Sequence, residues 1–241
     1  MKQAILFLSI LLFSITTFSQ DLTGNELLDK AISYHDPNGN WSTFNGVFNV
    51  IMETPEKPNR ITEIRINLSE EYFYSKARSE NNSTEFILEK DNCEILYNGS
   101  ADFSTAIAKE KRLSCERAMM YKNYYTYLYG LPMKLKDPGT IIDEKVARKV
   151  FQGKEYLVLK ASYEEEVGKD IWYFYFNTET YAMEVYQFFH SEEGKKDIDP
   201  SSGEYILLTE EETINGIKMP KNRAWYTNKD GKLLGTDILL H

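Results

Sequence analysis

The sequence predicts an α+β fold built on a large twisted antiparallel sheet, with helices at the start and in the middle of the chain. Three observations lead there. Short runs of alternating or β-branched residues recur along most of the 241 residues, separated by turn residues. A capping-box spacing opens one amphipathic helix near the start. A stretch near the middle changes to helical periodicity, with an aromatic stripe on one face.

In chain order, Thr23-Gly24-Asn25-Glu26 places a Thr side chain and a Glu carboxylate where each satisfies a free N–H of the first helical turn. Leu27, Leu28, Ala31 and Ile32 follow at helical spacing, so a helix is expected over 24–34, stopped by Asp36-Pro37-Asn38-Gly39. Strands are expected over 41–53, 60–68, 72–78, 84–90 and 94–97 as an antiparallel meander. Residues 104–112 and 114–129 read as two helices, the second carrying Tyr121, Tyr124, Tyr125 and Leu128 on one face. Gly130-Leu131-Pro132 ends it, glycine as a C-terminal cap and proline as a breaker. Strands resume over 141–151, 155–163, 169–177, 181–190, 204–214, 217–227 and 233–239. Asn215-Gly216 is the strongest hairpin signal, because a two-residue type I′ turn needs positive φ at both positions. Asp230-Gly231 is a second candidate.

The start of the chain sets the expected compartment. Lys2, an apolar run over 4–15 and Thr17-Phe18-Ser19 have the order of a secretory signal peptide, residues 1–19, with the mature chain beginning at Gln20. The apolar run is short for a bilayer span, and nothing later resembles one. No cysteine adjoins the junction, so lipid attachment through an N-terminal cysteine is not expected. Cleavage removes one Lys and no acid, taking the net charge from −9 to −10. So acidic a chain makes a poor partner for nucleic acid or an anionic membrane surface. Cys93 and Cys115 both remain, and an oxidising compartment favours a disulfide between them. Two buried thiols are the alternative, and ligand spacing for zinc is missing. A periplasmic or secreted protein follows, and no linker composition divides residues 20–241 into more than one domain.

The most informative stretch is Ile171-Trp172-Tyr173-Phe174-Tyr175-Phe176, followed by the turn Asn177-Thr178-Glu179-Thr180 and a second run ending in Phe188-Phe189. With Thr178-Glu179 as a two-residue loop, Phe176 pairs with Tyr181, Phe174 with Met183 and Trp172 with Val185. One face then carries Trp172, Phe174, Phe176, Met183 and Val185, the other Tyr173, Tyr175, Glu184, Tyr186 and His190. A three-residue loop would change these partners. The apolar face either lines a ligand cavity or is plain core beneath the helices, and the Tyr-rich helix suits a lid over it.

Three motifs recur together in a known group: 153–160 (GKEYLVLK), the 172–181 hairpin with its Asn-x-x-Thr turn, and 213–220 (TINGIKMP). On these the chain resembles the lipoprotein-carrier (LolA/LppX-like) superfamily. More closely, 34–41 (YHDPNGNW) and 124–132 (YYTYLYGLP) look like an uncharacterised family of secreted proteins from Bacteroidetes-type bacteria, over essentially the whole mature chain. The resemblance implies that the sheet is an unclosed half-barrel whose concave face is covered by helices and holds acyl chains or other apolar groups. It implies no catalytic or binding residue, because the closer family defines none.

Catalytic signals are sparse. The histidines are His35, His190 and His241, and no nucleophile-elbow, zincin or phosphate-loop motif occurs. His35-Asp36 reads as a helix end and His190 as a strand-end surface residue. The segments 164–166 and 210–212 read as solvated acids, and 197–203 departs from a calcium loop in its glycine and its twelfth position. The expected function is therefore a non-enzymatic carrier of an apolar small molecule or lipid, without cofactor, metal, nucleic-acid partner or transmembrane segment. Its expected ligand-binding residues are Trp41, Phe48, Tyr74, Tyr124, Tyr125, Trp172, Phe174, Phe176 and Trp225. The alternatives are a cell-envelope interaction protein with a self-filled core, which would bind another envelope protein, and a hydrolase.

Overall fold

A computed structural model describes residues 22–191 and 198–241. The expected signal peptide lies outside the described residues, as do residues 192–197 of the polar connection before residue 204. Helix α1 (Gly24–His35) begins as the sequence predicts: Thr23 N–H donates to Glu26 Oε2 at 2.8 Å, and Glu26 N–H donates to Thr23 Oγ1 at 3.3 Å. Strands β1 (Asn45–Glu53), β2 (Arg60–Asn67), β3 (Tyr72–Ser79), β4 (Asn82–Glu89) and β5 (Asn92–Tyr97) form the first meander. Helices α2 (Thr105–Lys111) and α3 (Cys115–Gly130) follow. Strands β6 (Thr140–Ile142), β7 (Ala147–Phe151), β8 (Lys154–Tyr163), β9 (Ile171–Asn177), β10 (Met183–Phe189), β11 (Glu204–Ile214), β12 (Ile217–Thr227) and β13 (Leu233–Leu240) complete the chain.

The 13 strands of the described residues join one antiparallel sheet, in the order β5-β4-β3-β2-β1-β13-β12-β11-β10-β9-β8-β6, with β7 beside β6 on the same edge of β8. The sheet is not closed. Its first and last strands pair in the middle, so the chain leaves one edge at β5 and re-enters at the other edge at β6. The intervening helices must therefore cross the sheet. Laid flat, the strand path would be roughly 50 Å wide at about 4.8 Å per step, while a helix the length of α3 spans only about 24 Å. The sheet curls instead, and α3 lies in the resulting trough, its rings meeting Phe48, Phe73 and Phe86 of β1, β3 and β4 while its Leu128 carbonyl accepts from Arg223 of β12.

The core sits between α3, α1 and the concave face. Phe73 stacks on Tyr125 at 6.3 Å, Phe86 on Tyr121 at 5.7 Å, and Phe48 meets Tyr129 at 4.7 Å between ring centres. The buried face of α3 carries Tyr125, Leu128 and Tyr129, so the expected stripe is turned toward Tyr129 and leaves Tyr124 at 38% exposure. A smaller cluster of Tyr156, Val158, Tyr175 and Val185 covers part of the convex face. Cys93 in β5 and Cys115 at the start of α3 form a disulfide.

Four expectations are corrected. The strand expected from residue 41 starts at Asn45, because the Asp36 carboxylate accepts the N–H groups of Asn40 and Trp41 and winds residues 40–43 into a 3₁₀ turn. The strand expected over 141–151 is split, because the start of α1 docks at the break, with Gly24 N–H donating to Glu144 O at 2.9 Å. Gly130 is not a left-handed cap but the last residue of α3. A Cβ there would lie 2.2 Å from Trp41 Cζ2, so glycine is needed for close approach. Gly130→Ala is expected to cost about 1–3 kcal/mol by overpacking, measurable as a lower urea midpoint.

The fourth correction concerns the aromatic hairpin. Asn177 Oδ1 accepts the N–H groups of Glu179 and Thr180, and Tyr181 takes φ 64°, so four residues, 178–181, make the loop. A bulge follows between Met183 and Val185. Phe174 then faces Tyr186 and Trp172 faces Phe188. Met183 keeps its expected side, but one extra residue reverses every side chain after it. Val185 is on the convex face, and Tyr186 joins the concave one. By contrast, Asn215-Gly216 makes the expected tight turn, with φ 50° and 77° and Ile214 opposite Ile217.

His35 ties α1 to the sheet. It is fully buried, its Nδ1 is 2.8 Å from Lys218 O, and its Nε2 is 2.9 Å from Met183 N. The carbonyl needs a donor and the N–H an acceptor, which assigns the proton to Nδ1 and a neutral ring. Burial holds its pKa below the ordinary histidine value. A base depressed in the folded state binds more protons when unfolded. Its stabilisation is thus full above the unfolded pKa of about 6.5 and is lost as pH falls toward the folded pKa, by up to about 1.4 kcal/mol per pH unit. Stability measured by urea titration is expected to fall between pH 7 and pH 5.5, and His35→Asn to flatten that slope.

Candidate functional site

Where α3 runs past β8 and β9 toward the edge of the sheet, the concave face opens into a cleft of about 590 Å³. Its aromatic wall is Tyr127 from α3, Tyr163 from the end of β8 and Trp172 from β9. Volumes of this order suit a small-molecule or acyl ligand. The Tyr127 and Tyr163 hydroxyls hydrogen-bond one another across the wall. Burial pushes Tyr163 up to about 12 and Tyr127 well above the ordinary tyrosine value, so both are neutral. The Thr126 hydroxyl is buried in the same lining without a partner. Lys134 and Asp137 pair at the rim.

Trp172 links this cleft to the interior. Its ring meets Tyr127 edge-on at 5.9 Å, stacks on Phe174 at 6.0 Å and on Phe188 at 4.8 Å, and meets Tyr186 at 6.0 Å. From Tyr186 the aromatic path continues to Trp225 at 6.1 Å and then to Tyr124 at 6.5 Å. Alternation places these side chains on one face, and the bulge after Met183 brings Tyr186 and Phe188 onto it.

Within this aromatic interior lies a polar group. Arg223 and Asp237 are paired positions on β12 and β13, 1% and 6% exposed. Arg223 donates to Pro220 O at 3.1 Å and to Leu128 O at 3.3 Å, and its guanidinium lies 4.0 Å from the centre of the Tyr129 ring. Asp237 accepts from Trp225 Nε1 at 3.2 Å. Burial raises the Asp237 pKa, and Arg223 and Arg60 oppose that rise. The Tyr129 and Tyr186 hydroxyls and Arg223 Nε lack well-formed hydrogen bonds. The interior thus has unmet capacity for polar groups.

The expected ligand residues divide sharply. Phe48, Phe174 and Phe176 are buried by the protein's own side chains, as is Tyr125, while Trp41 is sealed beneath Gly130. Tyr124, Trp172 and Trp225 retain access from outside, and of these Trp172 lines the cleft. Tyr74 lies on the convex face, where its hydroxyl donates to Glu85 at 2.9 Å and Arg65 covers its ring. It leaves the candidate site. Tyr127, Tyr163, Tyr186, Arg223 and Asp237 escaped sequence reasoning. Alternation could have found the last two, since Arg223 and Asp237 stand two residues from inward-facing Trp225 and Leu239.

At the cleft rim, His190 Nδ1 is 2.9 Å from Asp170 Oδ1. Among the described residues no hydroxyl or thiol hydrogen-bonds its other ring nitrogen. The described part of the expected non-calcium segment is self-satisfied, with Asp199 Oδ1 accepting from Ser201 N and Oγ. Among the described residues no helix is long and apolar enough to cross a membrane, and no group of three or more His, Cys, Asp or Glu is placed to hold a metal. The disulfide fits an oxidising, extracytoplasmic setting.

A search of curated proteins finds no significant match. Among solved structures, the chain is similar to a DUF1329 family protein from Desulfovibrio piger, with 9% identity, a TM-score of 0.47, and coverage of 92% of this chain and 91% of that one. It is also similar to a LolA superfamily protein from Nitrosomonas europaea, with 10% identity, a TM-score of 0.46 and 90% coverage of both chains. Residues 1–241 match the family of unknown function DUF6503, and the chain belongs to that family.

Proposed function

We propose that this protein is a periplasmic or secreted, non-enzymatic carrier of an apolar ligand, with acyl chains the leading class. The observation that carries the reading is the continuity of the open cleft with the aromatic interior through Trp172. An acyl chain entering there would lie against Tyr127, Tyr163 and Trp172. Burial of its surface would supply affinity at about 25 cal/mol per Å² before association costs. Motifs shared with the lipoprotein-carrier superfamily support the same reading.

A second reading, an envelope interaction protein with a self-filled core, is favoured by the complete burial of Phe174, Phe176 and Tyr186 beneath the protein's own helices. In that case the cleft would receive side chains of a protein partner. Fluorescence titration with the neutral probe N-phenyl-1-naphthylamine separates the two. The carrier reading expects saturable binding, displaced by a long-chain alcohol and weakened roughly tenfold or more in Trp172→Ala, the loss of one central aromatic anchor. Absence of saturable binding, or equal binding by the variant, would contradict it.

A further inference from the structure

On the other flank of α3, one corner of the trough gathers cations. A pocket of about 220 Å³ is floored by the ends of β2, β3 and β4 and roofed by the junction of α2 and α3. Arg60 enters from the floor, Arg112 from the end of α2, and Arg117 with Tyr121 from the first turns of α3. Lys111 stands beside them. We propose that this pocket is an anion site that takes a phosphate or carboxylate group, carried as the head of an amphiphilic ligand. The proposal deepens the carrier reading and rests on it for the ligand's apolar tail alone.

The first support is charge. The chain has a net charge of −9, yet no carboxylate lines this pocket. Lys111 pairs with Glu110 at 2.8 Å, whereas Arg60, Arg112 and Arg117 make no ion pair among the described residues. Asp237 acts on Arg60 from two strands away, but Arg112 and Arg117 have no carboxylate in the pocket, so the three guanidiniums repel each other and an anion between them relieves that repulsion.

Unmet hydrogen bonding is the second. Arg60 Nε is buried and has no partner. The inward alternation of Thr62, Ile64 and Ile66 puts Arg60 on the concave side of β2, and the nearest inward carboxylate along its register row, Asp237, is two strands away across Met52. Arg117 spends its N–H groups weakly, on Met120 Sδ at 3.2 Å and the Tyr121 hydroxyl at 3.3 Å. A guanidinium so placed has donors to spare for an oxyanion, and its planar fork matches phosphate and carboxylate oxygens.

The third is the mix of surfaces. Ser79 and Thr84 add hydroxyl donors around the cations, while Phe86, which belongs to the core, forms an apolar floor beside Ala77. A fully hydrated anion gains nothing from that floor. The head of an amphiphile does, because its first methylenes can lie on Phe86 and Tyr121.

The test is calorimetric titration of the mature protein with three probes: decyl phosphate below its critical micelle concentration, decanol and inorganic phosphate. Decyl phosphate is expected to bind at least about tenfold more tightly than decanol, with affinity falling as salt rises. Arg112→Gln with Arg117→Gln should abolish that preference and leave decanol unchanged. These positions are at the surface of the helices, and circular dichroism checks the fold; Arg60→Gln, checked alike, provides an independent variant. Inorganic phosphate binding as tightly as decyl phosphate would overturn the head-group assignment in favour of a free anion. Equal binding of decanol and decyl phosphate, or full preference retained in the variants, would overturn the anion site and leave the carrier reading standing. Loss of all alkyl binding with phosphate binding retained would overturn the carrier instead.

Discussion

Replacing Arg223 with Met is expected to destabilise the protein by about 3–5 kcal/mol, the range for removing one partner from a buried charged arrangement. Arg223 is 1% exposed and joins two layers, donating to Leu128 O on the covering helix and to Pro220 O on its own strand. Met preserves much of the volume, so the loss reports charge and hydrogen bonding rather than a cavity. It strands the Leu128 carbonyl, removes the cation over the Tyr129 ring and leaves Asp237 buried without its nearest counter-charge. The pH dependence is distinctive. Burial already raises Asp237 in the folded state, so that group's contribution is best at low pH and worsens as pH rises above the usual carboxylate range. Losing Arg223 enlarges that effect, and the deficit of Arg223→Met should shrink as pH is lowered toward 4. Adding Asp237→Leu should recover part of it at neutral pH. Urea unfolding of the three proteins at two pH values measures all of this. A cost below about 1 kcal/mol would mean that Arg223 is not holding helix to sheet.

Removal of the Cys93–Cys115 disulfide is expected to cost about 3 kcal/mol. The bridge joins residues 22 apart, and closing a loop of that size removes this much chain entropy from the unfolded state in the loop-closure account. Its location gives the loss a functional side. Cys93 lies in β5, the free edge of the sheet, and Cys115 begins the helix that covers the trough, so the bridge fixes one end of the cover to the wall. The other end is held by Arg223 and by the packing of Gly130 on Trp41. Cys93→Ser with Cys115→Ser should therefore lower the urea midpoint and raise amide exchange at the start of α3 before it changes exchange in β11 and β12. Uniform acceleration across the sheet would show that the bridge stabilises the fold without anchoring the helix in particular.

Much of this arrangement is legible in the sequence, and the failures have local causes. The capping box at Thr23, the Asn215-Gly216 turn and the boundaries of α2 and α3 depend on neighbours in sequence, and each forms as the residues require. The split between β6 and β7 and the late start of β1 depend on contacts from elsewhere in the chain. Alternating pattern alone does not register the docking of Gly24 or the double acceptance by Asp36. The aromatic hairpin shows how a small geometric error spreads. Its inner face over 172–176 is readable from alternation, but the bulge after Met183 is not, and it exchanges Val185 for Tyr186 at the centre of the interior. The sequence offers the candidate site as rings on strands and on one face of α3. Those rings proved mainly to be core, and the open wall is completed by Tyr127 and Tyr163, which meet only because α3 crosses the sheet at that point. Arg223 and Asp237 belong to no motif, although their spacing from Trp225 and Leu239 places them inward.

The central claim is that the trough and its cleft carry an apolar guest. Mild purification of the protein from its native compartment, extraction with organic solvent and mass spectrometry of the extract test it most directly. A lipid or other acyl compound in stoichiometric amount, depleted in the Trp172→Ala protein, is the predicted result. Repeated recovery of folded protein with no bound or exchangeable apolar compound would contradict the claim and leave the self-filled interaction protein as the better account.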